Sequence, residues 1–294
     1  ASLSPVALIL AGAWAGGAWA VAALAYLTVF TFALDEIVAL AHGKGRPGVE
    51  FPAAPALSVA LGLAHFILLA GLIAAIGGAS DAPGWALALS FAAAGLFLGQ
   101  VSNANAHELI HAPGRARRRL GAAVYASLLF GHHASAHPLI HHVHVATDAD
   151  PNSARRGRSY WGFLPRAWWG SFRAGWQAEA RLRRDTGGLH PYALYLGGAA
   201  LSVALAAALA GGAGVAALLG LSLYAQAQLL LSDYVQHYGL HRRETAPGRW
   251  EPIGPAHSWN APHGFSAALM LNAPRHSDHH AHPARAYPGL ALDR

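Results

Sequence analysis

The sequence predicts an all-α integral membrane protein: a bundle of about six membrane-crossing helices closed on one side by a histidine-rich cap. Three observations carry that prediction. Hydrophobic residues make up 54% of the 294 positions and charged residues only 12%, against about 25% charged in ordinary soluble domains. Several uncharged runs reach the roughly 20 residues that a helix needs to cross a hydrocarbon core about 30 Å thick. The chain also has 19 histidines and no cysteine. That combination removes disulfides, thiolate metal sites and a fused iron–sulfur domain, and leaves imidazole as the available transition-metal ligand.

The runs place the elements. Residues 6–40 stay apolar until Asp35 and Glu36, and form one long tilted helix or two shorter ones breaking near Gly16-Gly17. Residues 56–79 carry a single ionisable side chain, His65, and make the next span. Residues 85–99 carry none, and the run continues through Gln100, Asn103 and Asn105, giving a span over 85–106. Residues 191–232 are uncharged over 42 positions and are interrupted by Gly211-Gly212-Ala213-Gly214. That length predicts two spans, 191–211 and 214–236, joined by a tight turn. The N-terminal run has no basic segment ahead of it and is longer than a secretory signal, so it reads as a membrane anchor.

Charge orients the bundle. Lys44 is the only lysine, and 12 of the 19 arginines lie from Arg115 to Arg184, whereas loops 77–84 and 211–214 carry neither residue type. Positive loops stay cytoplasmic. Lys44, Arg46 and the two cap segments, 107–190 and 237–294, are therefore expected on the cytoplasmic face of the inner membrane, in a single domain spanning 1–294. The arginines there either contact membrane lipid headgroups or dock a partner as well. No nucleic-acid module is recognisable; the basic patch Arg115, Arg117, Arg118 and Arg119 directly follows a membrane span.

Nine histidines fall into four clusters with metal-ligand spacing: His107 and His111 in HELIH, then His137, His141 and His142, then His237 in DYVQHYG, then His276, His279 and His280. Nine exceed what one ion takes, about four for zinc and six for an octahedral metal, so the count points to two ions. Residues i and i+4 share a helical face. That pairs His107 with His111 and His137 with His141, with His142 projecting about 100° away toward a second ion. It reads His276 and His279 as sharing a face with His280 beside them. His132, His133 and His144 are taken as non-ligands. Asp148 and Asp150 either cap the turn after the second cluster or accept hydrogen bonds from the distal nitrogens of ligand histidines. Asp233 lies one turn before His237 on an otherwise apolar helix, where an acid is expensive. It is expected to orient His237 or a neighbouring ligand.

With these clusters in view, the chain resembles the integral-membrane alkane monooxygenases (alkane ω-hydroxylases), within the wider group of membrane fatty-acid desaturases and hydroxylases. The likeness rests on HELIH at 107–111, HHVHVATDADPNSA at 141–154, YWGFLPR at 160–166, DYVQHYGL at 233–240, EPIGPAHSWN at 251–260 and RHSDHHAHP at 275–283. The HYG element separates the alkane monooxygenase branch from ordinary desaturases. The resemblance implies a non-haem di-iron centre, two iron ions held at the cytoplasmic membrane face by His107, His111, His137, His141, His142, His237, His276, His279 and His280. It implies O2-dependent hydroxylation of a terminal methyl or similar unactivated C–H bond of an apolar hydrocarbon. Electrons would come from rubredoxin, or a ferredoxin, with its reductase. The chain departs from the family pattern at Ala112, Ala136, Ile140, Gln236 and Ala273-Pro274, where the family usually has Lys, Glu, Gly, Glu and Leu-Gln.

The nearest alternative is a fatty-acyl or terpenoid desaturase or hydroxylase on the same metal centre. An intramembrane zinc protease built on HELIH would need about three protein ligands and leave the other histidines idle. A histidine-rich metal transporter would put its ligands near the bilayer midplane rather than at one face.

Overall fold

The computed structural model describes residues 1–41, 54–185 and 187–292. Among these residues the chain is all-α apart from one small two-stranded hairpin. His42, Lys44 and Arg46 lie outside the described residues, and with them part of the charge argument for orientation.

The N-terminal run breaks at Gly16 into α1 (Ser4–Ala15) and α2 (Gly17–Leu40). Three more long apolar helices follow: α3 (Ala54–Ala79), α4 (Gly84–His111) and, after three intervening elements, Pro191–His237. Those intervening elements are α5 (Arg115–Ser127), the irregular α6 over residues 133–144, and α7 (Tyr160–Arg183). The long helix α8 (Pro191–His237) bends sharply at Ala210 and Gly211. Then come β1 (Glu244–Ala246), β2 (Arg249–Trp250), α9 (Phe265–Leu269) and α10 (His276–Ala281).

Two turns are built alike. Gly16 has φ 65°, ψ −147° and Gly211 has φ 56°, ψ −141°, a region that only glycine enters freely. Each turn folds its helices onto one another through small residues. A Cβ on Gly12 would sit 2.7 Å from Ala20 Cα, and one on Gly214 would collide with the Ala206 carbonyl oxygen. Residues eight apart on a continuous helix are about 12 Å apart along its axis, so both are hairpins.

The expectation of about six spans thus meets four helices that are long and apolar enough, α2, α3, α4 and α8. The last is folded back at its centre. Helix α1 has 12 residues and is about 18 Å long, short of the hydrocarbon thickness. This is a multi-pass membrane protein.

Leu68, Leu72, Phe97, Leu98, Leu218 and Leu221 fill the interior of the bundle. Polar ties cross it where unsatisfied groups would be costly. The ring of His65 bridges the hydroxyls of Ser102 (2.7 Å) and Ser127 (2.8 Å), joining α3, α4 and α5. Gln226 Nε2 donates to the Leu128 carbonyl (2.7 Å). Helix α7 starts behind an N-cap in which Ser159 Oγ accepts from Gly162 N–H. It lies across both ends of α8: Tyr160 donates to Ala227 O (2.6 Å), and Tyr192 donates to Phe172 O (2.8 Å). The four histidine clusters are carried on α4, α6, the end of α8 and α10, which meet on one side of the bundle.

Candidate metal centre

The last turn of α4 presents His107 and His111 with ring centroids 4.9 Å apart, as one helical turn requires. Helix α6 is not regular. The His142 N–H donates to the carbonyl of His137, five residues back. Pro138 has no N–H, and its ring collides with the carbonyl four residues earlier, so the α ladder is interrupted here and a π-turn takes its place. Residues five apart are about 140° apart on a plain α-helix. In this turn they share a face, and the Nε2 atoms of His137 and His142 lie 2.9 Å apart. His141 falls in a different group of histidines.

All nine histidines converge, in two groups. His107, His111, His137, His142 and His279 form the first; His141, His237, His276 and His280 form the second. Within each group the potential ligand nitrogens lie within 4.8 Å of one another. In the first, the Nε2 atoms of His107 and His137 are 2.7 Å apart and those of His142 and His279 are 3.0 Å apart. In the second, His276 Nε2 is 3.1 Å from His237 Nε2 and 3.0 Å from His280 Nε2. The groups adjoin through His142 and His280, whose ring centroids are 4.6 Å apart.

Two pairings differ from expectation. His137 pairs with His142, not His141, because of the π-turn. His276 pairs with His280, not His279. On the short helix α10, residues i and i+4 are one turn apart, while i+3 is rotated by about 60° and carries His279 into the first group.

The donor set fits metal ions. A neutral imidazole has one N–H, so rings whose Nε2 atoms crowd together cannot all satisfy one another. The buried Nε2 atoms of His111 and His141 have no hydrogen-bond partner among the described residues, and an orphaned buried polar atom costs about 1–3 kcal/mol. An ion at each convergence removes that cost. Burial, reinforced by neighbouring imidazoles, holds His137, His142, His276, His279 and His280 well below their ordinary value of 6.5. They are neutral, the form that ligates.

Around these rings lies a layer of oriented partners. His141 Nδ1 donates to Asp150 Oδ2 (2.8 Å), which also accepts from Ser153 Oγ (2.6 Å), while Asp150 Oδ1 accepts from Asn152 N–H (3.0 Å). His237 Nδ1 donates to the His257 carbonyl (3.0 Å). Asp233, expected to orient His237 or a neighbouring ligand, makes no hydrogen bond to His237 among the described residues. Its carboxylate accepts from Asn152 Nδ2 (2.6 Å), so it stands behind Asp150 in a chain leading to His141. Asp148 pairs instead with exposed Arg155 (2.8 Å), and Asp278 takes Arg285 (2.6 Å). Glu108 accepts from the Tyr287 N–H (3.4 Å) and clamps the C-terminal tail. His132 meets Ser171 Oγ (3.2 Å), and His133 stacks on Phe130; with His144, they stand outside both groups.

His257 went unrecognised in the sequence. Its only signal was its place in EPIGPAHSWN, which spacing arithmetic does not interpret. The role of Asp150 was legible as one of two alternatives, because Asp-Pro-Asn-Ser is a turn that folds its own N–H and hydroxyl onto the acid.

A cavity of about 330 Å³ opens beside the centre, between α4 and the second half of α8. His107 and His137 of the first group and His276 of the second reach its wall, with Asn103, Leu229, Asp233 and Met270. The geometry is that of a membrane protein with two histidine groups able to hold metal ions beside a largely apolar cavity.

Residues 83–292 match the family model described as fatty acid desaturase. Over 215 residues the chain is 37% identical to Alkane 1-monooxygenase 1 of Pseudomonas aeruginosa, covering 70% of this chain and 54% of that protein. It is 36% identical over 217 residues to Alkane 1-monooxygenase of Pseudomonas putida, covering 70% and 51%. With Alkane 1-monooxygenase 2 of Alcanivorax borkumensis it shares 35% identity over 189 residues, covering 63% and 50%. The chain belongs to the fatty acid desaturase family. It spans about half the length of the curated relatives it matches.

Proposed function

We propose that this chain hydroxylates an unactivated C–H bond, the terminal methyl of an alkane or a similar apolar hydrocarbon, at a non-haem di-iron centre. The balance is RH + O2 + 2 e⁻ + 2 H⁺ → ROH + H2O. The observation that carries the reading is the division of nine histidines into groups of five and four, with His107, His137 and His276 on the wall of one cavity, supported by relatives named alkane 1-monooxygenases. Two iron ions bound there would supply dioxygen activation. The protein's part is positional. The rings of His137, His142, His276, His279 and His280 stay neutral. Asp150 and the His257 carbonyl each fix a ring with its Nε2 turned inward, a partner effect that raises ligand basicity and sets the tautomer. Leu229 and Met270 offer an apolar seat with the reacting end beside His107, His137 and His276. Asp150 and Asp233 place carboxylate charge near a centre whose ligands are all neutral.

Electrons are proposed to come from rubredoxin, or a ferredoxin, with its reductase, to a centre facing the cytoplasm at the inner membrane. A fatty-acyl or terpenoid desaturase or hydroxylase is the second reading. It is favoured by the polar side chains Gln100, Asn103 and Ser232 on the cavity wall, which suit a substrate with a polar end. Against a zinc protease, the acid of HELIH is turned to the tail.

The test is metal content followed by turnover. Purified chain should hold about two irons and convert an alkane to its alcohol with reductase, rubredoxin and NADH. His107→Ala, His141→Ala and His279→Ala should lose turnover and iron while still inserting into membranes. His190→Ala should match wild type in iron content and turnover, since its ring packs against Trp176 and belongs to neither group. One zinc per chain, with no oxygen consumed, overturns the reading.

A further inference from the structure

The segment 251–260, EPIGPAHSWN, lies outside the metal-binding clusters yet grips three of the elements that carry the second group. Its N-terminal end is a clamp. The Glu251 carboxylate accepts from Arg243 N–H (2.8 Å) and Arg243 Nε (3.0 Å), and its Oε1 lies 3.2 Å from His257 Nε2. His257 Nδ1 accepts the Gly254 N–H (3.0 Å). A neutral imidazole with Nδ1 accepting carries its proton on Nε2, so His257 donates to Glu251. The clamp closes a single turn, Pro255–His257, and aims the His257 carbonyl at His237 Nδ1 (3.0 Å). His237 is thereby protonated on Nδ1, and its Nε2 lone pair faces His276.

The rest of the segment holds the neighbours. Trp259 N–H donates to Gln236 O (2.8 Å), and Trp259 Nε1 donates to Tyr238 O (3.1 Å), fixing the end of α8 on either side of His237. Asn260 Oδ1 accepts from Ser277 N–H (2.9 Å), and its Nδ2 donates to Ser277 Oγ (2.7 Å), fixing the first turn of α10 beside His276. At the clamp, the Glu251 carbonyl accepts from Arg242 Nε (2.8 Å). Arg242 in turn donates from its N–H to Ala146 O (2.8 Å) and from Nη1 to Val143 O (3.2 Å), next to His141 and His142. A backbone carbonyl orienting a ligand is only as well placed as the turn that carries it. Here that turn is held by side chains.

We propose that this segment positions the four-histidine group, with Glu251, His257 and Asn260 as positioning residues, and that it governs occupancy of the second metal site more than the first. The inference rests on the two-metal reading. Glu251 is about one-fifth exposed, so it can be replaced without opening a buried void.

The test is Co(II) titration of the full chain in detergent, followed by absorption. His111→Ala and His280→Ala provide reference spectra for chains lacking a ligand in the first and second group. Wild type should take up two equivalents. In Glu251→Ala the second-group site should weaken by about 10- to 100-fold, the usual effect of losing a ligand's hydrogen-bonded support. The spectrum should move toward that of His280→Ala, while the first-group site keeps its affinity. Glu251→Gln keeps a carbonyl acceptor for His257 and should restore the second site to within a few-fold. Tight first-site uptake reports an intact fold within each sample. Should Glu251→Ala fail to fold, Asn260→Ala removes the contacts at the far end of the segment and carries the same expectation. Two sites of wild-type affinity in these variants, or equal weakening of both, overturns the inference. A wild-type chain that binds no second ion overturns the two-metal reading itself, and this inference with it.

Discussion

Asp150 sits against His141 in a pocket where neither group is exposed, with both side chains at 3% or less, so the pair is tuned by contact rather than by solvent. For His141, burial alone would favour the neutral ring, but the Asp150 carboxylate outweighs it and raises its affinity for a proton above the ordinary 6.5. For Asp150, burial alone would raise the carboxyl, but His141, Ser153 and the Asn152 N–H bring it below the ordinary 3.8. In the metal-free chain, the raised His141 contributes stability in full below pH 6.5, and that contribution is lost as pH climbs through its folded value. The lowered Asp150 contributes above pH 3.8 and loses its contribution as pH falls through its folded value. The pair therefore counts most from about pH 4 to 6.5. Asp150→Asn should lower the melting temperature of metal-free protein more at pH 5.5 than at pH 8; equal losses at the two values would show that the ion pair does not form. Asp233 acts one step further out, through Asn152. Asp233→Asn should keep most of the iron and slow turnover by about 10-fold, and unchanged kinetics would leave Asp233 as a buried polar tie only.

At the level of the element, the two glycine hairpins and the π-turn show what spacing can and cannot reveal. The hairpin in α8 was readable because 42 uncharged residues exceed one crossing and Gly211-Gly212-Ala213-Gly214 interrupts them near the middle. The break near Gly16-Gly17 was readable as one of two options, and the matching dihedrals of Gly16 and Gly211 show one solution used twice. The partition of the histidines was not readable, since arithmetic at 3.6 residues per turn assumes a regular helix. Pro138 was the available sign that α6 is not one. His237 and His257 meet across 20 residues and a β-hairpin, beyond any periodic rule. The hairpin argument makes its own prediction. Gly211→Ala places a Cβ in empty space but at φ 56°, so strain alone should cost about 1–3 kcal/mol. The adjacent Gly212→Ala meets no atoms within 4 Å and has no positive φ. Thermal unfolding in detergent should separate the two, with Gly211→Ala less stable and both retaining wild-type metal content per folded chain. Equal midpoints would mean that the turn tolerates a side chain.

For the whole molecule, the proposed function requires electrons to reach a buried centre. These 294 residues hold no cysteine; under the proposed function a partner protein delivers the electrons, and its docking face should lie close to the ligands. Residues 154–158 lie directly over the turn that carries His237. Gly239 N–H donates to Ala154 O (2.8 Å), Gly157 N–H donates to Tyr238 Oη (2.9 Å), and Tyr234 donates to Arg158 O (2.7 Å). Arg155, Arg156 and Arg158 are all exposed on that segment. The Arg155–Asp148 pair is exposed on both sides, at 63% and 55%, and exposed pairs are worth little, so Arg155 remains open to a partner. An acidic rubredoxin or ferredoxin would be steered there, complementary charge acting chiefly on the rate of encounter. Changing Arg155 and Arg156 together to Glu should slow partner-dependent turnover at low salt. The defect should shrink as ionic strength rises, because screening sets in beyond about 10 Å at 0.1 M salt. Turnover driven by a small uncharged reductant should be unaffected, which separates docking from damage to the metal groups beneath. If reduction by the partner protein is unchanged at low salt, the arginines serve lipid contact and orientation, and electrons enter by another face.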